Sequence, residues 1–491
     1  MLDKTTVTGL KTRKSKVIKN KKNKKNKNSV NPINFGNASF FKRNKDLFKR
    51  IFITLMIILL IRVLSFVTIP SITLSPSYTQ NVSNSEFFQL LSTLGGGTLG
   101  NFSIVALGVS PYITASIIVQ LLSTDVIPVL SNWSKSGERG KRKLDKLTKI
   151  LSIPFAIMQS IATIFTLTSQ GLISPKWSSS DSGIGPSWFY YMLVPLVMIA
   201  GSFFLLWLSD QITLKGIGNG VSVIIFAGIV TKMPNSIIST FKFWIDKNDE
   251  SSVLLDGILK FIIYLCAFLF LIYMIVVMNE VERKIPIQQT GAGLVDSSEH
   301  TPYLPLKLNN AGVIPVIFAS AIISTPVTIS QILISSGKTN WFVLFCNNYL
   351  SFSSWHGIII YAVLTILFTF LYSQVQINPE KIADNFQKSG TFIPGIKPGK
   401  DTEKFISATI NRLSWMGSFF LAFIAVLPYV ISKLTNLPSS LAIGGTGLII
   451  VISVSIQTIQ QIKSRLIEQE FVNRKNKNVK VVESSKKSHI W

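Results

Sequence analysis

Charged residues are scarce in this sequence, and cysteine and histidine are almost absent. Asp, Glu, Lys and Arg make up 15% of its 491 residues, whereas a soluble chain carries about a quarter. The two cysteines, Cys266 and Cys346, form no C-x-x-C pair, and the three histidines have no metal-ligand spacing. The composition argues against a soluble domain and a disulfide framework, and we expect no metal site and no cofactor.

Acidic residues and histidines are also missing from the middle of every long hydrophobic run. An ion-coupled transporter normally keeps one of these groups inside the membrane as a relay. The segment G-E-R-G-K-R at 137–142 lacks the G-x-x-x-x-G-K-[ST] spacing that cradles a phosphate. We find no catalytic constellation, so we expect a protein that is not an enzyme and that takes its energy from a partner.

Long apolar runs, by contrast, are abundant, since 47% of the residues are hydrophobic. A helix needs about 20 mainly apolar residues to cross a bilayer core of roughly 30 Å. We therefore predict an all-α integral membrane protein with ten transmembrane helices. The ten runs lie near 51–70, 104–122, 149–168, 188–208, 218–233, 254–278, 310–333, 357–376, 409–432 and 441–460.

One charge, Arg62, lies within the first run. It is twelve residues beyond Arg50, which places it about 18 Å along a helix. A charge at this depth is costly if it faces lipid. Two environments remain open for Arg62: a wet cavity or the bundle interior, or the outer interface, which its long side chain reaches by snorkelling.

Lysine and arginine are concentrated in alternate connections between the runs. Cytoplasmic segments of membrane proteins carry an excess of these residues, so the pattern predicts that both termini are cytoplasmic. The chain has 49 basic and 23 acidic residues, a net charge of +26. The segments predicted to be cytoplasmic are 1–50, 123–148, 209–217, 279–309, 377–408 and 461–491.

The chain is expected to have two membrane halves between two basic tails. The N-terminal tail, 1–46, is rich in Lys and Asn; we expect it to be disordered, with contact to anionic lipid or ribosomal RNA as the alternative. The N-terminal half is 47–233 and the C-terminal half is 254–465. The segment 234–253 is an external hinge connection, and 466–491 is the basic C-terminal tail.

An internal repeat relates the two halves. Residues 107–118 read L-G-V-S-P-Y-I-T-A-S-I-I, and residues 311–322 read A-G-V-I-P-V-I-F-A-S-A-I, so seven residues recur 204 positions later. The copies fall in the second and seventh runs. Because each unit then has five spans, an odd number, the halves have opposite orientations, which is typical of an inverted-topology repeat.

Six distinctive motifs follow one another along the chain: L-G-V-S-P-Y-I-T-A-S-I-I-V-Q-L-L (107–122), W-S-K-S-G-E-R-G-K-R-K (133–143), L-S-D-Q-I-T-L-K-G-I-G-N-G-V-S (208–222), V-E-R-K-I-P-I-Q (281–288), A-D-N-F-Q-K-S-G-T-F-I-P-G-I-K-P-G (383–399) and G-G-T-G-L-I-I-V (444–451). In this order they resemble the SecY family, the central subunit of the protein-translocation channel. The resemblance covers about 47–465 and implies a SecY-type channel of ten transmembrane helices in two inverted halves of five.

The resemblance implies a channel that is closed at its waist by a ring of branched apolar side chains. Such a ring resists water and ions and makes no strong bond to a passing polypeptide. By motif position the ring residues are Val109, Ile113, Val221, Ile225, Ile317 and Ile450.

The resemblance also implies a plug at 85–103, a short segment that blocks the external funnel, with a plain re-entrant loop as the alternative. Spans two and seven, with three and eight, would form a lateral gate to lipid. The plug residues are Phe87, Phe88, Leu91, Leu94, Gly95, Gly96 and Gly97, and the gate residues are Ser116, Gln120, Ser320 and Thr325.

The connections 279–309 and 377–408 match the family's docking sites for the ribosome and the SecA motor ATPase. The docking residues are Arg283, Lys284, Lys397 and Lys400. Lys397 stands where the family usually has Arg, and Lys lacks the planar two-pronged guanidinium. Other implied partners are SecE- and SecG-type small membrane subunits, signal peptides, nascent chains and membrane lipid, with ribosomal RNA contact through the basic loops.

Three functions compete on these observations. A protein-conducting channel in a bacterial plasma membrane, or in a thylakoid-type organellar membrane, explains the repeat, the basic loops and the missing relay carboxylates. It would pass unfolded secretory polypeptides and release membrane spans through the gate. The alternatives are an accessory SecY-type channel for dedicated substrates and a small-solute transporter.

Overall fold

The computed structural model describes thirteen stretches of the chain, which divide into two units. One unit is Arg50–Arg465, and the other combines 1–49 with 466–491. Every predicted site residue falls within Arg50–Arg465. The described residues are 45–69, 72–76, 78, 88, 92, 95–123, 127–175, 187–245, 251–289, 302–335, 340–352, 354–435 and 445–487.

Most of the described chain is helical, as predicted, and a helix covers part of each of the ten hydrophobic runs. The helices are α1 (Lys45–Phe66), α2 (Ser110–Leu122), α3 (Pro128–Lys135), α4 (Gly137–Ser169), α5 (Ser187–Lys215), α6 (Gly220–Ile245), α7 (Ser251–Glu280), α8 (Ile314–Ser335), α9 (Trp341–Phe345), α10 (Trp355–Gln376), α11 (Pro379–Lys388), α12 (Lys400–Thr435) and α13 (Gly445–Lys487).

Within the described ranges, six helices are long and apolar enough to cross a membrane: α4, α5, α6, α7, α10 and α12. Helix α2 and the first part of α8 are apolar but shorter. A helix satisfies its backbone N–H and C=O groups within its own segment, so an apolar helix can enter a medium that offers no water.

Some helix ends differ from the ends of the hydrophobic runs. Helix α6 continues through Pro234 to Ile245, over part of the segment 234–253 that was predicted to be a connection. Helix α4 begins at Gly137, in the basic stretch before the run at 149–168. Hydrophobicity marks where a helix meets lipid, whereas helix ends depend on caps, glycine and proline, so the two need not coincide.

The two copies of the repeat have the same local structure. Gly108 and Gly312 occupy matching positions and both have a positive φ, 58° and 67°. Helices α2 and α8 then begin two residues later, each with a proline in its second position. Glycine adopts the left-handed backbone conformation at little cost. Proline is tolerated in the first turn of a helix, because the N–H that it lacks would have no partner within the helix there.

Three small antiparallel sheets lie in the connections between helices. They pair β1 (Ile72–Leu74) with β2 (Ile173–Pro175), β3 (Glu282–Pro286) with β5 (Tyr303–Lys307), and β4 (Gln288–Gln289) with β6 (Thr391–Phe392). These strands were not predicted from the sequence, because none is longer than five residues and two of the three pairs join segments about a hundred positions apart.

Three apolar clusters hold the unit together. The central cluster draws on helices from both predicted halves. The second cluster contains Tyr78, Phe88, Leu99 and Phe102 with residues of α4 and α5, and the loop cluster consists of Ile285, Leu306, Ile393, Ile406 and Ile410.

Candidate functional site

The six residues predicted to form the ring all lie in, or against, the central cluster. Val109 immediately precedes α2, and Ile113 lies in the first turn of that helix. The others come from α6, α8 and α13. Val109, Ile225 and Ile450 are buried members of the cluster, and Ile113, Val221 and Ile317 are half-buried and pack against it.

All six side chains are branched hydrocarbons, so they offer neither a donor nor an acceptor to water or ions. An apolar constriction of this kind excludes hydrated ions by dewetting. Ile113, Val221 and Ile317 retain some exposed surface. The arrangement can therefore seal against ions and still part without breaking polar bonds.

The central cluster extends beyond the predicted ring. It also includes Ile61 of α1, Leu205 of α5, Ile275 of α7, Tyr361 of α10 and Ile424 of α12. Sequence composition does not separate these residues from the ring, because both sets are hydrophobic. Only the position within a motif made that distinction.

The predicted plug lies partly within the described residues. Phe88 is fully buried in the second cluster, together with Ile164 of α4 and Val194 of α5. Gly95, Gly96 and Gly97 are described, whereas Phe87, Leu91 and Leu94 lie outside the described residues. We use "plug segment" for the described residues of 85–103.

The glycines of the plug segment pack backbone against backbone. A Cβ placed on Gly108 would lie 2.1 Å from the Cα of Gly95. Gly96 and Gly97 have positive φ values of 77° and 83°, and a Cβ on Gly96 would lie 3.3 Å from the carbonyl oxygen of Ile224. Larger residues would push the segment away from α2 and α6.

Hydrogen bonds fix the end of the plug segment. The hydroxyl of Tyr78 donates to the carbonyl of Leu99 at 2.8 Å, and the hydroxyl of Thr98 donates to the carbonyl of Val105 at 2.7 Å. Burial raises the pKa of Tyr78 above its usual range, so this phenol remains protonated and continues to donate.

Two cationic side chains reach the plug segment from different helices. Nη1 of Arg62 in α1 donates to the carbonyl of Gly96 at 3.3 Å. Nζ of Lys232 in α6 donates to the hydroxyl of Ser92. Arg62 thus points to the interior, one of the two predicted environments. The sequence analysis missed Lys232, because it lies next to the last residue of the run at 218–233.

The four predicted gate residues make their hydrogen bonds within their own helices. The amide of Gln120 donates to Ser116 at 3.0 Å on α2, while its carbonyl oxygen is buried without a hydrogen-bond partner in the described structure. On α8, Ser320 donates to the carbonyl of Ile317 at 2.8 Å and Thr325 to that of Ala321 at 2.8 Å. Helix α4 packs against both α2 and α8.

The two predicted docking connections form one structure. Gln288 of the first pairs with Phe392 of the second, and Gln289 pairs with Thr391. Beneath this pairing, the loop cluster combines side chains from β3, β5 and α12. The sequence analysis predicted both connections but not that they would join.

The docking residues are on the surface of this joined structure. Arg283 and Lys284 are exposed on β3, Lys400 is exposed as the first residue of α12, and Lys397 is exposed just before it. Nζ of Lys284 lies 3.7 Å from Oε1 of Glu282. Exposed basic groups of this kind are available to an acidic partner surface or to phosphates.

Helix α13 also contacts both predicted halves through polar groups. Oε1 of Gln461 accepts from the backbone N–H of Gly218 at 3.0 Å, and Oε1 of Gln460 accepts from Nζ of Lys307 at 2.9 Å. The SecY-like motifs gave no indication of these contacts, because the last motif ends at residue 451, before Gln460 and Gln461.

Comparison with known proteins identifies the family of the chain. The SecY family model matches residues 103–459. The protein translocase subunit SecY of Mycoplasma capricolum is 64% identical over 456 residues, which cover 92% of this chain and 94% of the relative.

Two solved structures share the fold. A protein conducting channel aligns with a TM-score of 0.61 and 18% identity over 86% of this chain and 93% of that one. Sec61 in a canine ribosome–channel complex from the endoplasmic reticulum aligns with a TM-score of 0.58 and 17% identity, with the same coverage of 86% and 93%. The sequence motifs, the fold and these matches together show that the chain belongs to the SecY family.

Proposed function

We propose that the chain is a protein-conducting channel that passes unfolded secretory polypeptides across a membrane and releases membrane segments into lipid. The observation that carries this proposal is the meeting of six branched apolar residues from four helices in one cluster. A glycine-rich segment packs directly against α6 and against Gly108, two residues before α2. An apolar constriction beside a separable segment is suited to a polymer of varied sequence, since it binds no particular side chain.

The proposed architecture has ten membrane spans in two inverted halves, 47–233 and 254–465, joined near 234–253. The matching starts of α2 and α8 support the repeat, and the helices within the ten hydrophobic runs support the span count. Five spans per half give the halves opposite orientations. The basic connections favour cytoplasmic termini, and the mycoplasma relative favours a bacterial plasma membrane.

In this channel the ring residues form the constriction and the plug segment closes the external side. Helices α2 and α8, flanked by α4 and α10, form the lateral gate. The contacts of α4 with both α2 and α8 support this assignment. The gate residues bond within their own helices, so α2 and α8 can separate without breaking those bonds.

The joined connections 279–309 and 377–408 are the proposed docking surface for a SecA-type motor and a translating ribosome. Their exposed Arg and Lys side chains support this role, as does the solved Sec61 structure in a ribosome complex. Ribosomal RNA is a natural partner of such a surface. Further proposed partners are SecE- and SecG-type subunits, signal peptides, nascent chains and lipid.

The test is reconstitution of the chain with a SecE-type subunit and SecA in vesicles. We expect a preprotein to become protected from external protease only when ATP is present. A vesicle without the chain, and one with ATP replaced by a non-hydrolysable analogue, are the controls. Uptake of small solutes without protection of any polypeptide would overturn the proposal.

A further inference from the structure

Lys232 is placed to face the channel. It follows Ile225 by seven residues, and seven residues of helix advance about 10 Å and return to within about 20° of the same face. Lys232 therefore lies on the same side of α6 as the ring residue Ile225, two turns towards the C-terminal end. The residue keeps some exposed surface, while its Nζ reaches inward to the buried hydroxyl of Ser92.

Arg62 and Lys232 converge on one short segment. The carbonyl of Gly96 accepts from Arg62 at 3.3 Å, and the hydroxyl of Ser92 accepts from Lys232. A Cβ placed on Gly97 would lie 3.1 Å from Cε of Lys232, so the stem of the lysine also lies along this segment. Both acceptors are neutral and both belong to the plug segment.

The two cations are electrostatically uncompensated within the described structure. Their donors reach the same short segment, at Gly96 and Ser92, and two like charges so placed repel each other. Among the described residues, no carboxylate forms an ion pair with either of them. The carbonyl of Gly96 and the hydroxyl of Ser92 accept hydrogen bonds from the two cations, but being neutral they do not balance the two positive charges.

Displacement of the plug segment would remove both acceptors at once. Two adjacent cationic donors would then face the space through which a polypeptide passes. A carboxylate satisfies such donors better than a neutral oxygen, because it adds charge attraction to the hydrogen bond. A polypeptide that passes through the channel brings such carboxylates with it, on its Asp and Glu side chains.

We propose that Arg62 and Lys232 form a two-cation site for oxygen acceptors, which the plug segment occupies in this structure and which carboxylates of a translocating polypeptide occupy after the plug segment is displaced. The inference rests on the proposed function and adds a ligand class to it. It also makes the plug segment and acidic side chains competitors for the same two donors.

The test uses a preprotein that is stalled in the reconstituted channel by a folded domain at its C-terminus. The segment that spans the channel contains no acidic residue except one Asp, which is moved along it one position at a time. A water-soluble carbodiimide then joins that carboxylate to any adjacent amine. We expect an adduct only for a narrow set of Asp positions, and mass spectrometry to map it to Lys232.

Three channel variants sharpen the result. Lys232→Gln should abolish the adduct, whereas Lys242→Gln, at an exposed residue ten positions later on the same helix, should leave it unchanged. Arg62→Lys keeps the charge and introduces a second amine, so we expect an additional adduct at position 62. Protection of the stalled preprotein from protease reports that each variant folds and translocates.

The outcomes separate the inference from the function on which it rests. If the preprotein is stalled and protected but no Asp position reacts, or if the adduct survives Lys232→Gln, the two-cation site is wrong and the channel function stands. If no ATP-dependent stalled intermediate forms with the unaltered chain, the proposed function fails and the inference fails with it.

Discussion

Gly228 of α6 and Gly96 of the plug segment touch through their backbones. A Cβ placed on Gly228 would lie 2.2 Å from the Cα of Gly96. The plug segment is therefore held against α6 at a distance that no side chain permits, and this fit depends on the absence of a single methyl group.

Gly228→Ala should weaken closure. Overpacking costs about 1–3 kcal/mol, which corresponds to about a 5- to 150-fold shift in the balance between closed and open states. We expect an increased ion leak through the idle channel in planar bilayers. Gly100→Ala is the control, because a Cβ there would meet nothing within 4 Å; equal leaks in the two variants would contradict the proposed packing.

Ring residues on α2 and α8 should be equivalent in sealing the channel. Ile113→Ser and Ile317→Ser each place a hydroxyl in the constriction, which favours water entry, and we expect at least a severalfold increase in idle conductance. Ile322→Ser serves as the control, since Ile322 is exposed on the same helix as Ile317. Unchanged conductance in both ring variants would remove them from the constriction.

Ser92 and Lys232 should show a coupled effect on idle conductance. Ser92→Ala removes a neutral acceptor but leaves the repulsion between Lys232 and Arg62, so we expect an increased leak. Lys232→Met removes the same hydrogen bond and the repulsion together, so its leak should be smaller. Adding Lys232→Met to Ser92→Ala should therefore reduce the leak, and a further increase would refute this electrostatic account.

The lysine at position 397 should bind the SecA motor less tightly than an arginine at the same position would. Exposed charge pairs contribute about 0.2–1 kcal/mol, so Lys397→Gln should weaken SecA binding by up to about fivefold. Lys397→Arg should strengthen it, because guanidinium binds carboxylates with two hydrogen bonds. Titration of SecA against the reconstituted channel measures both. Lys242→Gln is the control, and tighter SecA binding by the Lys397→Gln variant than by the native chain would contradict the prediction.

The sequence predicts the general architecture well because the architecture depends on repeated local signals, whereas the ring stays a prediction that the conductance of the Ile113 and Ile317 variants tests. Long apolar runs indicate helices directly, and the motif shared by α2 and α8 marks Ile113 and Ile317 without any knowledge of packing. Helix ends were less predictable, as the continuation of α6 to Ile245 shows.

Contacts between remote residues were not predictable in the same way. Gln289 pairs with Thr391 across about a hundred positions, and two-residue strands have no periodicity to detect. Lys232 was overlooked because a lysine near the end of a hydrophobic run is usually taken as an interfacial residue. Its importance depends on Ser92, which only the folded chain brings close.

Two adjacent glutamines of α13, Gln460 and Gln461, connect segments that are remote in sequence. Gln461 accepts a hydrogen bond from Gly218, two residues before α6, and the adjacent Gln460 accepts one from Lys307, at the end of β5. One helix thus ties the strand of a docking connection to the helix that carries Val221 and Ile225. In the proposed channel, a force applied to that connection would therefore reach Val221 and Ile225 through α13, by a route that crosses only two side-chain hydrogen bonds.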